Sequence, residues 1–122
     1  MRIDEDDFTV TYLDAEGPLV STADDASDLV GAAWDQNARL IAIPVSRLDP
    51  EFFRLSSLLA GEIVQKLVNY RLQLAVLGDI SQHLAGSEAL RDFVWESNRG
   101  DHVWFLADRA ALESKLAARL AS

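Results

Sequence analysis

The sequence predicts an α/β fold, a two-layer sandwich on a mixed central sheet, with element order β-β-α-β-α-β-α-β-α. Three observations predict it. The runs Arg39–Val45, Leu72–Leu77 and His102–Leu106 are almost continuously apolar, as strands are when both faces of a parallel sheet are covered. Between them lie stretches long enough for helices, with start and stop signals. Ahead of them, Phe8–Leu13 alternates and is rich in β-formers, Asp14–Gly17 is a turn, and Pro18–Thr22 continues as a second short strand, which reads as a hairpin. Strands alternating with helices after an opening hairpin give a sheet with both antiparallel and parallel pairs.

Each element has a local reason. Ser21 or Thr22 caps the first helix, and Asp24 and Asp25 in its first turn suit the positive end of the helix dipole. Ala26, Leu29, Val30, Ala33 and Trp34 mark its apolar face. Asp49-Pro50 is a start signal for a long helix over Glu51–Arg71, because aspartate caps and proline fits the first turn. Ser87–Asn98 is the next helix. Ser87 is its cap, Leu90, Phe93 and Val94 face the core, and Asn98 and Gly100 suit a left-handed C-terminal end. Arg109–Leu120 is the last helix. Pro44 donates no hydrogen bond, so it belongs at a strand end or a bulge. Gly61 lies inside a helix at a cost of about 1 kcal/mol against alanine, which predicts a close approach to a neighbour.

Composition excludes several functions. With 122 residues and 49% hydrophobic content, the chain reads as one domain over 1–122 with a real core. There is no cysteine, hence no disulfide, thiolate metal site or cysteine nucleophile. The acidic start MRIDEDDFTV is unlike a secretory leader, and no run approaches a membrane span, so a cytoplasmic location is expected. The net charge of −9 is uneven: residues 1–51 hold twelve acids and three arginines, and residues 52–122 hold eight of each sign. Such a balance argues against nucleic acid and anionic membranes as partners. It reads as a solvated acidic face or as a surface for a basic partner. Nine arginines against two lysines, with abundant alanine, suggest a GC-rich bacterial genome.

No motif names a reaction. If the crossovers are right-handed, the loops Ser46–Asp49, Gly78–Gly86 and Ala107–Asp108 share the carboxyl edge of the sheet, where ligands of open α/β sheets bind. Asp49, Asp79 and His83 are the polar pocket candidates there, with Phe52 and Phe53 as an apolar wall. Two acids could hold a cation or act as acid and base. The plainer reading is that Asp49 caps a helix and Asp79 anchors a turn beside Gly78. Ser81, His83 and Ser87 lack the G-x-S-x-G elbow of a hydrolase, so that loop reads as a turn. His102 reads as a structural residue at a strand edge. With two histidines, no cysteine and no Gly-rich phosphate loop, neither a metal nor a nucleotide cofactor is expected. Glu62, Gln65, Lys66 and Asn69 form a polar stripe on one helix side, with Glu62 and Lys66 as an i, i+4 pair. Arg91, Asp92, Glu96 and Arg99 predict a salt-bridge network to a neighbouring helix through Arg71 or Lys66, or else a binding surface. Trp95 among them has the character of an interface hot spot. The interface candidates are therefore Glu62, Lys66, Asn69, Arg91, Trp95 and Arg99.

The segments Ala60-Gly61-Glu62, Gln65-Lys66, Asn69-Tyr70-Arg71, Gly78-Asp79, Leu90-Arg91-Asp92-Phe93 and Glu96-Ser97-Asn98 with Gly100 resemble the bacterial family called domain of unknown function 4180. The resemblance covers residues 50–106 and implies no established activity. It implies Thr-Gly ahead of Leu-Ala-Gly-Glu, where this chain has Ser57-Leu58, which puts any turn made there in doubt. The element order also resembles STAS domains, in whose antagonist members a serine at the start of a helix is phosphorylated. Ser56 and Ser57 fall in roughly that region, but a turn and a half inside the expected helix and without the Asp-Ser-Ser-Gly context. They read as small packing residues or, less simply, as a phospho-switch. Together these features point to a non-catalytic cytoplasmic binding or regulatory module, acting through protein–protein or small-ligand contacts and expected to be a homodimer. The rival reading is a small enzyme or ligand-processing protein with a pocket at the carboxyl edge.

Overall fold

The computed structural model describes residues 9–121. Phe8, where the first strand was expected to begin, and the acids Asp4–Asp7 lie outside them. Four strands, β1 (Val10–Tyr12), β2 (Leu40–Pro44), β3 (Gln73–Leu77) and β4 (Val103–Leu106), form a sheet in sequence order. Every pair is parallel, with Tyr12 beside Ala42, Ala42 beside Ala75 and Ala75 beside Trp104. The helices are α1 (Ala23–Asp35), α2 (Leu59–Asn69), α3 (Ser81–Ala85), α4 (Glu88–Arg99) and α5 (Arg109–Ala121).

Among the described residues the opening hairpin is not formed and every strand pair is parallel, so the sheet they make is parallel and not mixed. Val20 makes a single parallel bridge to Leu48 instead. Only Val20 of the expected second strand is buried, and Leu19 is 46% exposed, so that segment has no apolar ladder to pair. The bend before it is held by Arg47, whose guanidinium donates to the carbonyls of Asp14 (2.9 Å) and Pro18 (2.8 Å). Gly17, at φ +146°, lies against that guanidinium, where a Cβ would come within 2.8 Å.

Strand order that follows the sequence, with right-handed crossovers, brings each connecting helix to the same face. Ile41, Ile43, Leu74, Val76, Val103 and Phe105 accordingly pack with α1, α2 and Leu90 of α4. The opposite face carries Leu40, Ala42, Ala75 and Trp104 and is covered by Leu112 and Leu116 of α5. Helices therefore lie on both faces, and the two-layer expectation becomes three layers, the third a lone helix.

Thr22 and Asp25 form a reciprocal capping box on α1. Trp34, expected in its apolar face, is 64% exposed and meets Tyr70 edge-on at 5.6 Å. Both α1 and α2 end in left-handed residues, Asn37 and Arg71, each followed by a bond from Ala38 to Ala33 or Leu72 to Leu67. The end of α4 differs from its expectation: Gly100 is extended, with φ −99° and ψ −159°. Pro44 is the last residue of β2, where its missing N–H breaks no ladder.

The long helix expected over Glu51–Arg71 is divided. Three 3-10 turns, Val45–Arg47, Pro50–Phe53 and Leu55–Ser57, precede α2. Phe52 and Phe53 are both buried, and a tight turn seats the two consecutive rings in the core. Leu58 then adopts φ 66°, which stops the turn and starts the helix. The Ser57 hydroxyl donates to the Glu51 carbonyl (2.7 Å) and accepts from the Leu59 N–H (3.2 Å). The turn placed in doubt at Ser57-Leu58 is thus made, with leucine in a conformation glycine adopts more readily. Ser57 stands just ahead of the helix, not inside it. Gly61 is exposed, and an added Cβ would meet nothing within 4 Å, so no close approach explains it.

Candidate functional site

The carboxyl ends of β2, β3 and β4 bring together the loops after Pro44, Leu77 and Leu106, as parallel pairing requires. Gly78 donates to the Leu106 carbonyl at 3.0 Å and packs against Val45, where a Cβ would come within 2.9 Å of the valine side chain. Its φ of +139° and this contact both select glycine.

Two concavities open at this edge. The first, about 430 Å³, is lined by Gly78, Asp79, Ile80 and Ser81 together with Leu84, Val94, Phe105, Leu106 and Ala107. The second, about 510 Å³, lies between the turn at Pro50–Ser56 and the segment Gln82–Ala89. Phe53 and His83 both line it, stacked with ring centroids 4.1 Å apart and planes 11° from parallel. Phe53 is buried and also meets Phe52 edge-on, so His83 rests on an aromatic base rooted in the core. Arg54, Ser56, Gln82 and Ser87 supply the polar rim.

The expected pocket residues therefore divide. Phe53 and His83 share the second cavity, with Phe52 beneath them. Asp79 faces the first cavity and accepts from the Ser81 N–H at 2.9 Å, a bond that holds its carboxyl below the usual aspartate range. Asp49 lines neither and accepts from the Glu51 N–H at 2.9 Å, as the cap of the Pro50–Phe53 turn. Among the described residues the His83 ring has no hydrogen-bonded side-chain partner, and no three of the histidines and acids cluster as metal ligands would. The geometry offers an aromatic shelf with a polar rim, and no assembled nucleophile and base.

The interface candidates lie on two helices. On α2, Gln65 donates to Asn69 at 2.9 Å, while Glu62 and Lys66 form no ion pair among the described residues. Among the described residues, the salt-bridge network expected on α4 is not made. Arg91 donates to the Leu84 carbonyl at 2.8 Å, clasping the end of α3. Arg99 lies over the Trp95 ring, 4.5 Å from its centroid, and the indole is 60% exposed. Ion pairs form elsewhere, at Arg54–Glu51, Arg109–Glu113 and Arg119–Asp101. A helix carrying charge that it does not pair internally keeps that charge for its outer surface.

Sequence reasoning missed two roles. Arg47 is the staple of the bend after β1. Asn98 reaches from the end of α4 to the free edge of β4, where its amide donates to the Phe105 carbonyl (3.2 Å) and accepts from the Phe105 N–H (2.7 Å). It thereby copies one residue of a missing neighbour strand. A signal existed, since an amide at a helix end shortly before an edge strand can reach its backbone.

Among the described residues, no helix is long and apolar enough to cross a membrane. Neither the curated proteins nor the solved structures contain a match to this chain. A family model does match, over residues 5–116, and the chain belongs to the family described as domain of unknown function 4180.

Proposed function

We propose that this protein is a non-catalytic binding or regulatory module of the bacterial cytoplasm, homodimeric and acting through protein–protein or small-ligand contacts. One observation carries the reading: Trp95 stands on the outer face of α4 with Arg99 against its ring, and tryptophan and arginine are both residue types enriched at interface hot spots. The use of Asp49 and Asp79 as backbone caps supports contact over turnover. The test is sedimentation velocity of the pure protein from low to several hundred micromolar, with capture from host lysate alongside. A concentration-dependent dimer is expected. A monomer throughout that retains nothing from lysate overturns the proposal.

The Phe53–His83 shelf favours a second reading, a small enzyme or ligand-processing protein using the carboxyl edge. Its test is turnover in a substrate screen. Activity unchanged by Asp79→Ala and by His83→Ala removes those residues from it.

A further inference from the structure

The geometry points to the outer face of α4 as a two-fold, self-complementary dimer surface, formed by antiparallel pairing with α4 of a second copy. This inference rests on the homodimer reading above and specifies its surface and register. Glu88, Asp92, Trp95 and Arg99 are all exposed, and their four-three-four spacing places them in one seam along the helix. A second helix running antiparallel, with the two-fold axis between Phe93 and Val94, overlaps the whole of Glu88–Arg99, because that point is the midpoint of α4.

In that register Glu88 meets Arg99 of the second copy, and symmetry makes the contact twice. Asp92 meets Trp95, again twice, and its carboxylate can accept from the indole N–H. The alternatives are repulsive. A parallel pair sets Glu88 against Glu88 and Arg99 against Arg99. An antiparallel pair moved one heptad toward the start of the helix sets Glu88 against Asp92. The chosen register thus has both attraction and discrimination. Within one chain, neither Glu88 nor Asp92 forms an ion pair among the described residues, so pairing with a second copy breaks none of theirs. The other exposed aromatic pair, Trp34 with Tyr70, has Asp35 and Arg71 beside it in sequence, but its residues come from two separate helix ends and form no seam along one helix.

Charge exchange tests this directly by sedimentation velocity, with circular dichroism to show that each variant is folded. Glu88→Arg alone and Arg99→Glu alone each place like charges opposite one another, and each is expected to weaken the dimer at least tenfold. The double variant restores opposite charges and recovers the dimer. An equimolar mixture of the two single variants forms a heterodimer, in which both contacts are attractive. Four dimers of wild-type affinity overturn the surface and leave the homodimer reading standing. Weak singles that neither the double nor the mixture rescues overturn the register. A monomeric wild type at several hundred micromolar overturns both the surface and the homodimer reading.

Discussion

Two positions three residues apart should respond oppositely to the same exchange of glycine and alanine. Leu58 is at φ 66°, in the left-handed region, and its side chain is 67% exposed. A residue with a Cβ is disfavoured there by about 1–2 kcal/mol. Glycine removes that strain but adds unfolded-state entropy worth about 0.5–1 kcal/mol. Comparing Leu58→Gly with Leu58→Ala cancels the modest loss of leucine packing and leaves the backbone difference, about 0.5–1 kcal/mol in favour of glycine. Gly61 lies within α2 with open space where its Cβ would stand. There the order reverses, and Gly61→Ala should stabilise by about 1 kcal/mol. Urea unfolding followed by circular dichroism reads both. With a slope of about 1–3 kcal/mol/M, each difference moves the midpoint by roughly 0.2–1 M. Alanine superior to glycine at both positions would refute the left-handed turn. Glycine superior at both would refute the open helix surface at Gly61.

Three further outcomes are expected. Asn98→Ala leaves the Phe105 N–H and carbonyl without their partner and should cost about 1–3 kcal/mol in the same urea assay, whereas Asn98→Asp keeps the acceptor and loses the donor. An alanine variant as stable as wild type would remove the bridge. Asp25 has a pKa below the usual aspartate value, chiefly because the Ser21 and then the Thr22 N–H bonds to its carboxylate. A depressed folded-state pKa gives stability that is present above the unfolded value and is lost as pH falls through the folded one. Thermal unfolding below about pH 4 should therefore fall more steeply for wild type than for Asp25→Asn, and parallel curves would refute the link. Finally, Arg47→Ala releases the carbonyls of Asp14 and Pro18 and should speed amide exchange at Val20 and Asp49, while exchange in β3 stays slow.

Much of the fold was legible because its signals are local. The apolar runs located β2, β3 and β4, and Asp49-Pro50, Thr22 and Ser87 located three caps. What failed depended on distant partners. Whether Pro18–Thr22 paired back on β1 could not be read locally, because the answer lay in Arg47, some thirty residues later in the chain. The break before α2 was hidden because leucine at 58 gives no left-handed signal, although the family resemblance implied glycine there. At the candidate site, the adjacency of His83 and Phe53 depends on two loops meeting, and no spacing rule encodes that. Asn98 was visible as a residue of the Glu96-Ser97-Asn98 motif, but its bond to β4 is tertiary. Trp34 followed the helical period and still faces outward, because Tyr70 provides it a neighbour at the surface.

The strand order has a consequence for how the chain assembles. Each strand pairs with the next in sequence, so the sheet can grow by successive additions as the chain leaves the ribosome, with no strand waiting for a distant partner. The face under α1, α2 and α4 closes as it grows. The face bearing Leu40, Ala42, Ala75 and Trp104 gains Leu112 and Leu116 only when α5 has been synthesised. Until then it is an apolar surface open to chaperones and to other nascent chains. The indoles of Trp34 and Trp95 are exposed, whereas that of Trp104 is buried beneath α5 and donates to the Gly100 carbonyl. The fluorescence of Trp104 therefore dates the last step of folding.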